Sequence, residues 1–296
     1  MNVATAVPLR QACPVGPQGL CEYESLGLFE DKSGNVGNVE VVRCRHCGIG
    51  ITTPPLADVA FLYEGRESQD FQPRTSSLAH KIKTIAFRRQ ARALLQDAGI
   101  SPARVLDFGC GSGLFTQCLD DVLGGGAVTG SDFHADPPLD LAGRRYLPMD
   151  RLGELKETFD LVLAMHVLEH DDDAAGLLNR IAGMARPGGV IVIEVPNIDC
   201  VWAALIGKSW DAWYLPFHRT HFSKTSLEGL IRRSGLELVR TINICVPTMG
   251  RTLANALGAR NNLGFLLAGI LLHPIQWLGE KLSGRPSAIR IVARRN

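Results

Sequence analysis

The 296-residue chain has no excess of either charge: 31 Lys and Arg stand against 30 Asp and Glu, a formal charge of +1. Proteins that hold nucleic acid by its phosphates concentrate cations, so no nucleic-acid partner is expected. Cysteine is sparse, eight residues in all, too few for a secreted fold stapled by disulfides. The opening MNVATAVPLRQACP lacks a basic segment leading into an apolar core, so reducing cytoplasm is the expected compartment. Charged residues are also few, 21% against 46% hydrophobic, which excludes disorder as the dominant state. The apolar run LGFLLAGILL at 263–272 stops short of the ~20 residues that a membrane span needs and continues through His273, Pro274 and Gln276. A buried or lid helix is one reading of it. A peripheral membrane contact through 263–278, beside Lys281, Arg285, Arg290, Arg294 and Arg295, is another, and a true span is the third.

What is present is unevenly placed. Cys13, Cys21, Cys44 and Cys47 crowd into a Gly- and Pro-rich stretch, marking a small N-terminal module at 10–55 that ends at Thr52-Thr53-Pro54-Pro55. Apolar residues at helical spacing from 77 to 98 predict an amphipathic helix that introduces a second domain over 75–296. Strand and helix patterns then alternate: strands at 104–108, 127–130, 159–164 and 189–195, helices at 113–123 and 173–185. Apolar strands separated by helices pair in parallel through right-handed crossovers, which predicts a doubly wound α/β sheet. Thr225 and Glu228 have the spacing of a capping box for a helix reaching Ser234, followed by strands at 236–244 and 288–294. Segments 197–222 and 246–287 are left as lid.

The strongest local pattern runs from Val105 to Phe115, a strand entering Gly109, Gly111 and Gly113 and then a helix. A dinucleotide fingerprint needs its third glycine at 114, where Leu114 stands. The Asp107 carboxylate at the strand end also repels a pyrophosphate. A ligand with an amino-acid head fits better: its ammonium can meet Asp107 directly or through water, while the glycines let backbone approach it.

Val105 to Gly113, V-L-D-F-G-C-G-S-G, resembles the first motif of the class I S-adenosylmethionine-dependent methyltransferase family. The resemblance implies a mostly parallel, seven-stranded Rossmann-like sheet with S-adenosylmethionine held by Asp107, Gly109, Cys110, Gly111 and Gly113. It implies an acid for the ribose hydroxyls, which Asp132 supplies unless it is a plain turn residue, and an acid near adenine, for which Asp150 is the candidate. Phe159 to His170, F-D-L-V-L-A-M-H-V-L-E-H, resembles the fourth-strand motif of small-molecule methyltransferases and places Met165 and His166 beside the cofactor. His166, Glu169 and His170 leave the sheet where cofactor and acceptor meet. A bacterial subgroup also shares Pro196-Asn197 and the segment from His218 to Ser223, H-R-T-H-F-S.

Cys44-Arg-His-Cys47-Gly48 has the form of a zinc knuckle, and with Cys13 and Cys21 completes a four-thiolate set. A degenerate metal-free remnant and redox chemistry are the alternatives. His218 and His221 suit loop hydrogen bonding, acceptor contact or proton transfer, and Trp202, Trp210, Trp213 and Tyr214 an acceptor wall or plain packing.

The expected reaction is methyl transfer to a small-molecule, glycan or lipid-linked acceptor, at oxygen ahead of carbon or nitrogen. His170 is the first choice of base, with Glu169 or His166 orienting it and His218 and His221 in reserve. The rivals are a nicotinamide-dependent dehydrogenase, disfavoured by Leu114 and Asp107, and a non-catalytic module that binds cofactor and a partner.

Overall fold

The computed structural model describes residues 13, 15, 21–31, 36–56, 58–63 and 77–296. The N-terminal segment forms β1 (Tyr23–Phe29), β2 (Val39–Cys44) and β3 (Gly50–Thr53). Then come α1 (Ser77–Ala98), β4 (Val105–Phe108), α2 (Leu114–Val122), β5 (Val128–Ser131), β6 (Phe159–Met165), α3 (Ala174–Met184) and β7 (Ala185–Pro196). The remainder comprises α4 (Val201–Ile206), β8 (Thr220–His221), α5 (Lys224–Arg233), β9 (Glu237–Ile244), α6 (Met249–Ala256), α7 (Leu263–Ser283) and β10 (Ala288–Arg294).

The main sheet has the order β5-β4-β6-β7-β10-β9, parallel from β5 to β7 and antiparallel on both sides of β10. Among the described residues, the outermost position beyond β5 is held by a single parallel bridge, Gly130 to Tyr146, so six full strands stand where seven were expected. Both faces are covered. Along β7, Ile191, Ile193 and Val195 pack with α3 and α5, whereas Val190 and Val192 pack with α1 and α2. That period of two explains why these strands read as continuous apolar runs.

The helix at 224–233 is capped differently from the sequence expectation. Ser223 takes the cap position and forms a reciprocal box with Ser226, displacing the Thr225 and Glu228 pair by two residues. Glu228 instead accepts a hydrogen bond from Thr241 Oγ1 on β9 at 2.7 Å.

The N-terminal strands form a second, antiparallel sheet, β1-β2-β3-β8, whose last strand comes from the far side of the sequence. Gly50 faces His221 across this seam, and a Cβ at Gly50 would lie 2.7 Å from Ile198 Cδ1 and 2.9 Å from His221 Cβ. Only glycine permits that approach. Cys13, Cys21, Cys44, Cys47 and Ile49 share one apolar core with α3, α5 and the main sheet. The module and the larger sheet are thus packed together.

Candidate active site

The C-terminal ends of β4, β5 and β6 open into a cavity of about 1070 Å³ lined by Gly109, Gly111, Asp132, Met149, His166 and His170 among others. Sites for one small molecule run ~300–1,000 Å³, so there is room for a cofactor and an acceptor together. This is the crevice beyond the strand ends where open parallel sheets bind ligands.

The glycines have different tasks. Gly109 (φ 79°) lies under Val167, where a Cβ would come within 2.4 Å of Val167 Cγ2. Gly111 (φ 52°) has nothing within 4 Å of its would-be Cβ and forms open wall. Gly113 (φ 80°) caps α2 and abuts Leu141, so it shapes the loop without lining the cavity. Asp132 holds the loop from the other side. Its Oδ2 accepts from Gly111 N at 2.8 Å and its Oδ1 from Phe133 N at 2.9 Å. Burial raises the Asp132 pKa, and the two amides oppose that rise.

Several predicted cofactor residues do not reach the cavity. Asp107 is 2% exposed beneath the loop, accepts from Thr116 Oγ1 at 2.6 Å, and is pushed up to about 6 by burial. It braces strand to helix, and of the two expected routes to an ammonium, direct or through water, its place beneath the loop favours the one through water. Cys110 and Met165 are likewise absent from the wall, Cys110 being buried against Gly130. Asp150 is exposed to solvent, and its neighbours Met149 and Leu152 line the cavity instead, because the turn at Met149–Leu155 points its apolar side inward.

The fourth-strand motif carries an ordered set of charges. His166 adopts φ 57°, an unusual left-handed conformation that aims its ring between two carboxylates. Its Nδ1 lies 3.3 Å from Glu169 Oε1 and its Nε2 3.2 Å from Glu194 Oε1. Glu194 is fully buried and is paired with Arg290 at 2.7 Å, which in turn meets Asp97 at 2.7 Å. Burial alone lowers an imidazole pKa, but Glu169 and Glu194 outweigh it and hold His166 up at about 10. A carboxylate beside each ring nitrogen favours the protonated form of His166 and makes it a poor base.

His170 lines the cavity, and its Nδ1 lies 2.6 Å from the Tyr63 hydroxyl. Behind it sits His218, with ring centroids 4.7 Å apart. His218 is 7% exposed, its Nδ1 donates to Ala212 O at 2.9 Å, and burial followed by the neighbouring His170 and His221 lowers its pKa well below the usual value. Thr52 Oγ1 donates to His218 O at 2.7 Å, so the 2.9 Å contact between His221 Nε2 and that oxygen must be donated by His221. Burial and then Arg219 bring His221 down to about 3. Neither His218 nor His221 lines the cavity. Their hydrogen bonds lie in the seam between β3 and β8 and match the loop-bonding alternative of the sequence reading.

Glu169 is 1% exposed and neither oxygen has a hydrogen-bond partner, its contacts being His166 and, at 3.9 Å, His218 Nε2. The ligand atoms of Glu169, His170 and His218 lie within 4.8 Å of one another. Of the two lid segments, Tyr214 from 197–222 lines the cavity and no residue of 246–287 does. Sequence reasoning missed Tyr63, Phe133 and Arg219. Tyr63 lies on a short turn, Ala60–Tyr63, with no periodicity to betray it.

In the N-terminal module Gly48 N donates to Cys44 O and Cys44 N to Ile49 O, both at 2.8 Å, closing the tight knuckle turn. Ligand sulfurs of Cys13, Cys44 and Cys47 lie within 4.8 Å of one another, with Cys13 Sγ 3.4 Å from Cys47 Sγ. Burial, reinforced by Cys13 and Cys44, pushes the Cys21 thiol up to about 12.

Residues 74–241, more than half of the chain, match the model of a family described as "Methyltransferase domain". The chain is 32% identical over 148 residues to the ubiquinone biosynthesis O-methyltransferase of Rhodopseudomonas palustris strain HaA2, covering 44% of this chain and 54% of that protein. It is 28% identical over 184 residues to the protein of that name from Mesorhizobium japonicum, covering 58% and 70%. Over its aligned part, the chain spans about half the length of the first of these relatives. Among solved structures, a SAM-dependent methyltransferase from Archaeoglobus fulgidus aligns with a TM-score of 0.49 at 20% identity, covering 80% of this chain and all of that one. The glycine loop, the fourth-strand motif and the family match agree, and the chain belongs to the class I S-adenosylmethionine-dependent methyltransferases.

Proposed function

We propose that the chain transfers a methyl group from S-adenosylmethionine to a hydroxyl of a small-molecule acceptor. One observation carries the reading: a single cavity joins the glycine loop and Asp132 to His170 and its Tyr63 partner. The name shared by the relatives, O-methyltransferase, supports oxygen as the acceptor atom. Tyr63, Phe133 and Tyr214 line the acceptor side, which favours a flat ring over a glycan.

When bound, the cofactor supplies an electrophilic methyl on a sulfonium whose charge is lost on transfer. The chain's own contribution is alignment and one proton transfer. Gly111 lets the backbone approach the ligand, and Asp132 offers oxygens to a vicinal diol while fixing the loop. His170 takes the acceptor proton. Tyr63 fixes the imidazole from the opposite nitrogen, Nδ1, leaving Nε2 as the basic atom when Nδ1–H donates to the phenol oxygen.

Asp132→Ala is expected to weaken S-adenosylhomocysteine binding by about 1–3 kcal/mol, the usual result of removing a buried acceptor from its donors. Titration calorimetry measures it, and an unchanged affinity sinks the assigned ribose site. Stabilisation by S-adenosylhomocysteine and not by NAD, with a methylated oxygen in the product, supports the whole reading. Stabilisation without turnover on any hydroxylated acceptor leaves a binding module.

We further propose that Cys13, Cys21, Cys44 and Cys47 hold a structural zinc. The sulfurs of Cys13, Cys44 and Cys47 lie within 4.8 Å of one another with Cys21 beside Cys13 and Cys44, a set that suits tetrahedral zinc. Purified chain should contain about one zinc per molecule. Cys44→Ser with Cys47→Ser should lose both the metal and the cooperative melt of the module. Metal analysis that finds no zinc in chelator-free preparations refutes the assignment.

A further inference from the structure

Helix α7 is turned inside out. Leu263, Leu267, Leu271, Ile275, Leu278 and Leu282 lie within about 120° of arc at ~100° per residue, and every one is exposed. Leu271 is 77% exposed, Ile275 62% and Leu282 79%. The opposite face carries Gly269, Gln276 and Glu280, all buried. An amphipathic helix of a soluble domain does the reverse, and single exposed leucines are common while a continuous stripe of them is not.

The buried polar face is moored to the body. Gln276 Nε2 donates to Val246 O and to Glu280 Oε1, each at 2.7 Å, and Ser287 N donates to Glu280 Oε2 at 2.9 Å. A Cβ at Gly269 would lie 3.0 Å from Gly250 N, so α7 rests directly on the backbone of α6. Such anchorage is incompatible with α7 crossing a bilayer while the fold stays intact, because the buried carboxylate and amide would lose their partners. None of 246–287 lines the cavity, so the stripe serves no described role in cofactor or acceptor binding.

Charge identifies the partner. Between 246 and 287 the sequence has Arg251, Arg260, Lys281 and Arg285 and one acid, Glu280. Glu280 is 4% exposed, whereas Arg260, Lys281 and Arg285 are exposed at the two ends of the stripe. Lys281 Nζ lies 4.7 Å above the Trp277 ring, and Trp277 is 48% exposed at the stripe's edge. A leucine face bordered by cations and one tryptophan matches the acyl boundary and headgroup layer of a membrane surface. We propose that α7 docks in the plane of a lipid bilayer bearing anionic headgroups, with the Leu271 and Ile275 face in the acyl boundary and Arg260, Lys281 and Arg285 among the headgroups. This goes beyond methyl transfer and stands or falls independently of it.

The full chain is tested by flotation with vesicles of phosphatidylcholine alone and with added phosphatidylglycerol. It should float with the anionic vesicles, more weakly as salt rises, and Trp277 emission should shift to shorter wavelength. Leu271→Glu with Ile275→Glu should reduce vesicle binding by about tenfold or more. Arg260→Glu should reduce it less and flatten the salt dependence. Leu282→Glu, at the exposed end of the helix, provides a second variant should the first fail to fold, and all three should keep S-adenosylhomocysteine binding. The proposal is overturned if the unaltered chain stays with the lipid-free fraction. It is equally overturned if light scattering shows a dimer that Leu282→Glu dissociates while no vesicle is bound, since the stripe then covers a second copy of the chain.

Discussion

His170→Ala should lower turnover on the true acceptor by about 10²–10⁴-fold, the contribution of a positioned general base. S-adenosylhomocysteine affinity should hold, because Gly111 and Asp132 make the loop independently of the imidazole. The neighbouring histidines offer no substitute. His166 stands between Glu169 and Glu194, which favour its protonated form, His218 donates from Nδ1 to Ala212 O, and His221 is fixed to Thr52 outside the cavity. Tyr63→Phe should fall between the parent and His170→Ala, since it keeps the base and removes only the group that fixes its ring. Single-turnover kinetics make the test decisive by isolating methyl transfer from product release. A His170→Ala enzyme with nearly unchanged single-turnover rate removes His170 as the base and points to an acceptor that enters deprotonated.

The parts legible in the sequence were those with a short-range signature. Val105 to Gly113 announced strand, turn and helix because the turn needs positive φ at three nearby positions and glycine alone adopts it freely. The inner strands of the main sheet were legible because burial on both faces leaves runs of apolar residues, broken only locally as at Asp107, Glu194 and Arg290. What stayed hidden depends on contacts between distant residues. Gly50 and His221, or Tyr63 and His170, meet only when the N-terminal segment folds back over the fourth-strand loop, and no local pattern encodes that return. The histidines of H-R-T-H-F-S look reactive in one dimension. Burial decides their chemistry, and burial is a property of the fold. The outward stripe of α7 was visible as an apolar run, but the face it presents to solvent was fixed by Gln276 and Glu280 on the other side.

Arg219 shows how costly one of these long-range contacts is to lose, and Arg219→Ala should destabilise the protein by about 3–5 kcal/mol, the usual effect of removing one partner of a buried ion pair. The residue is 1% exposed. Its Nε donates to Asp172 Oδ2 at 2.9 Å and its Nη2 to Thr52 O at 3.0 Å, and its backbone N donates to Glu169 O at 2.7 Å. Asp172 Oδ2 in turn accepts from Leu56 N at 2.8 Å. One guanidinium therefore ties β3 and the following turn to the loop that presents His170. Burial raises the Asp172 pKa and Arg219 opposes that rise. Without the guanidinium the carboxylate is raised further, and a raised carboxylate costs stability at pH values above its ordinary range. The deficit of Arg219→Ala relative to the parent should accordingly narrow as pH falls toward that range. Urea unfolding of both proteins at neutral and acidic pH measures this, and equal deficits at both would show that Asp172 is not left charged. Turnover should fall as well, through the displaced fourth-strand loop, and Arg219→Lys should restore little of it, because an ammonium cannot serve Asp172 and the Thr52 carbonyl with the planar fork that the guanidinium provides.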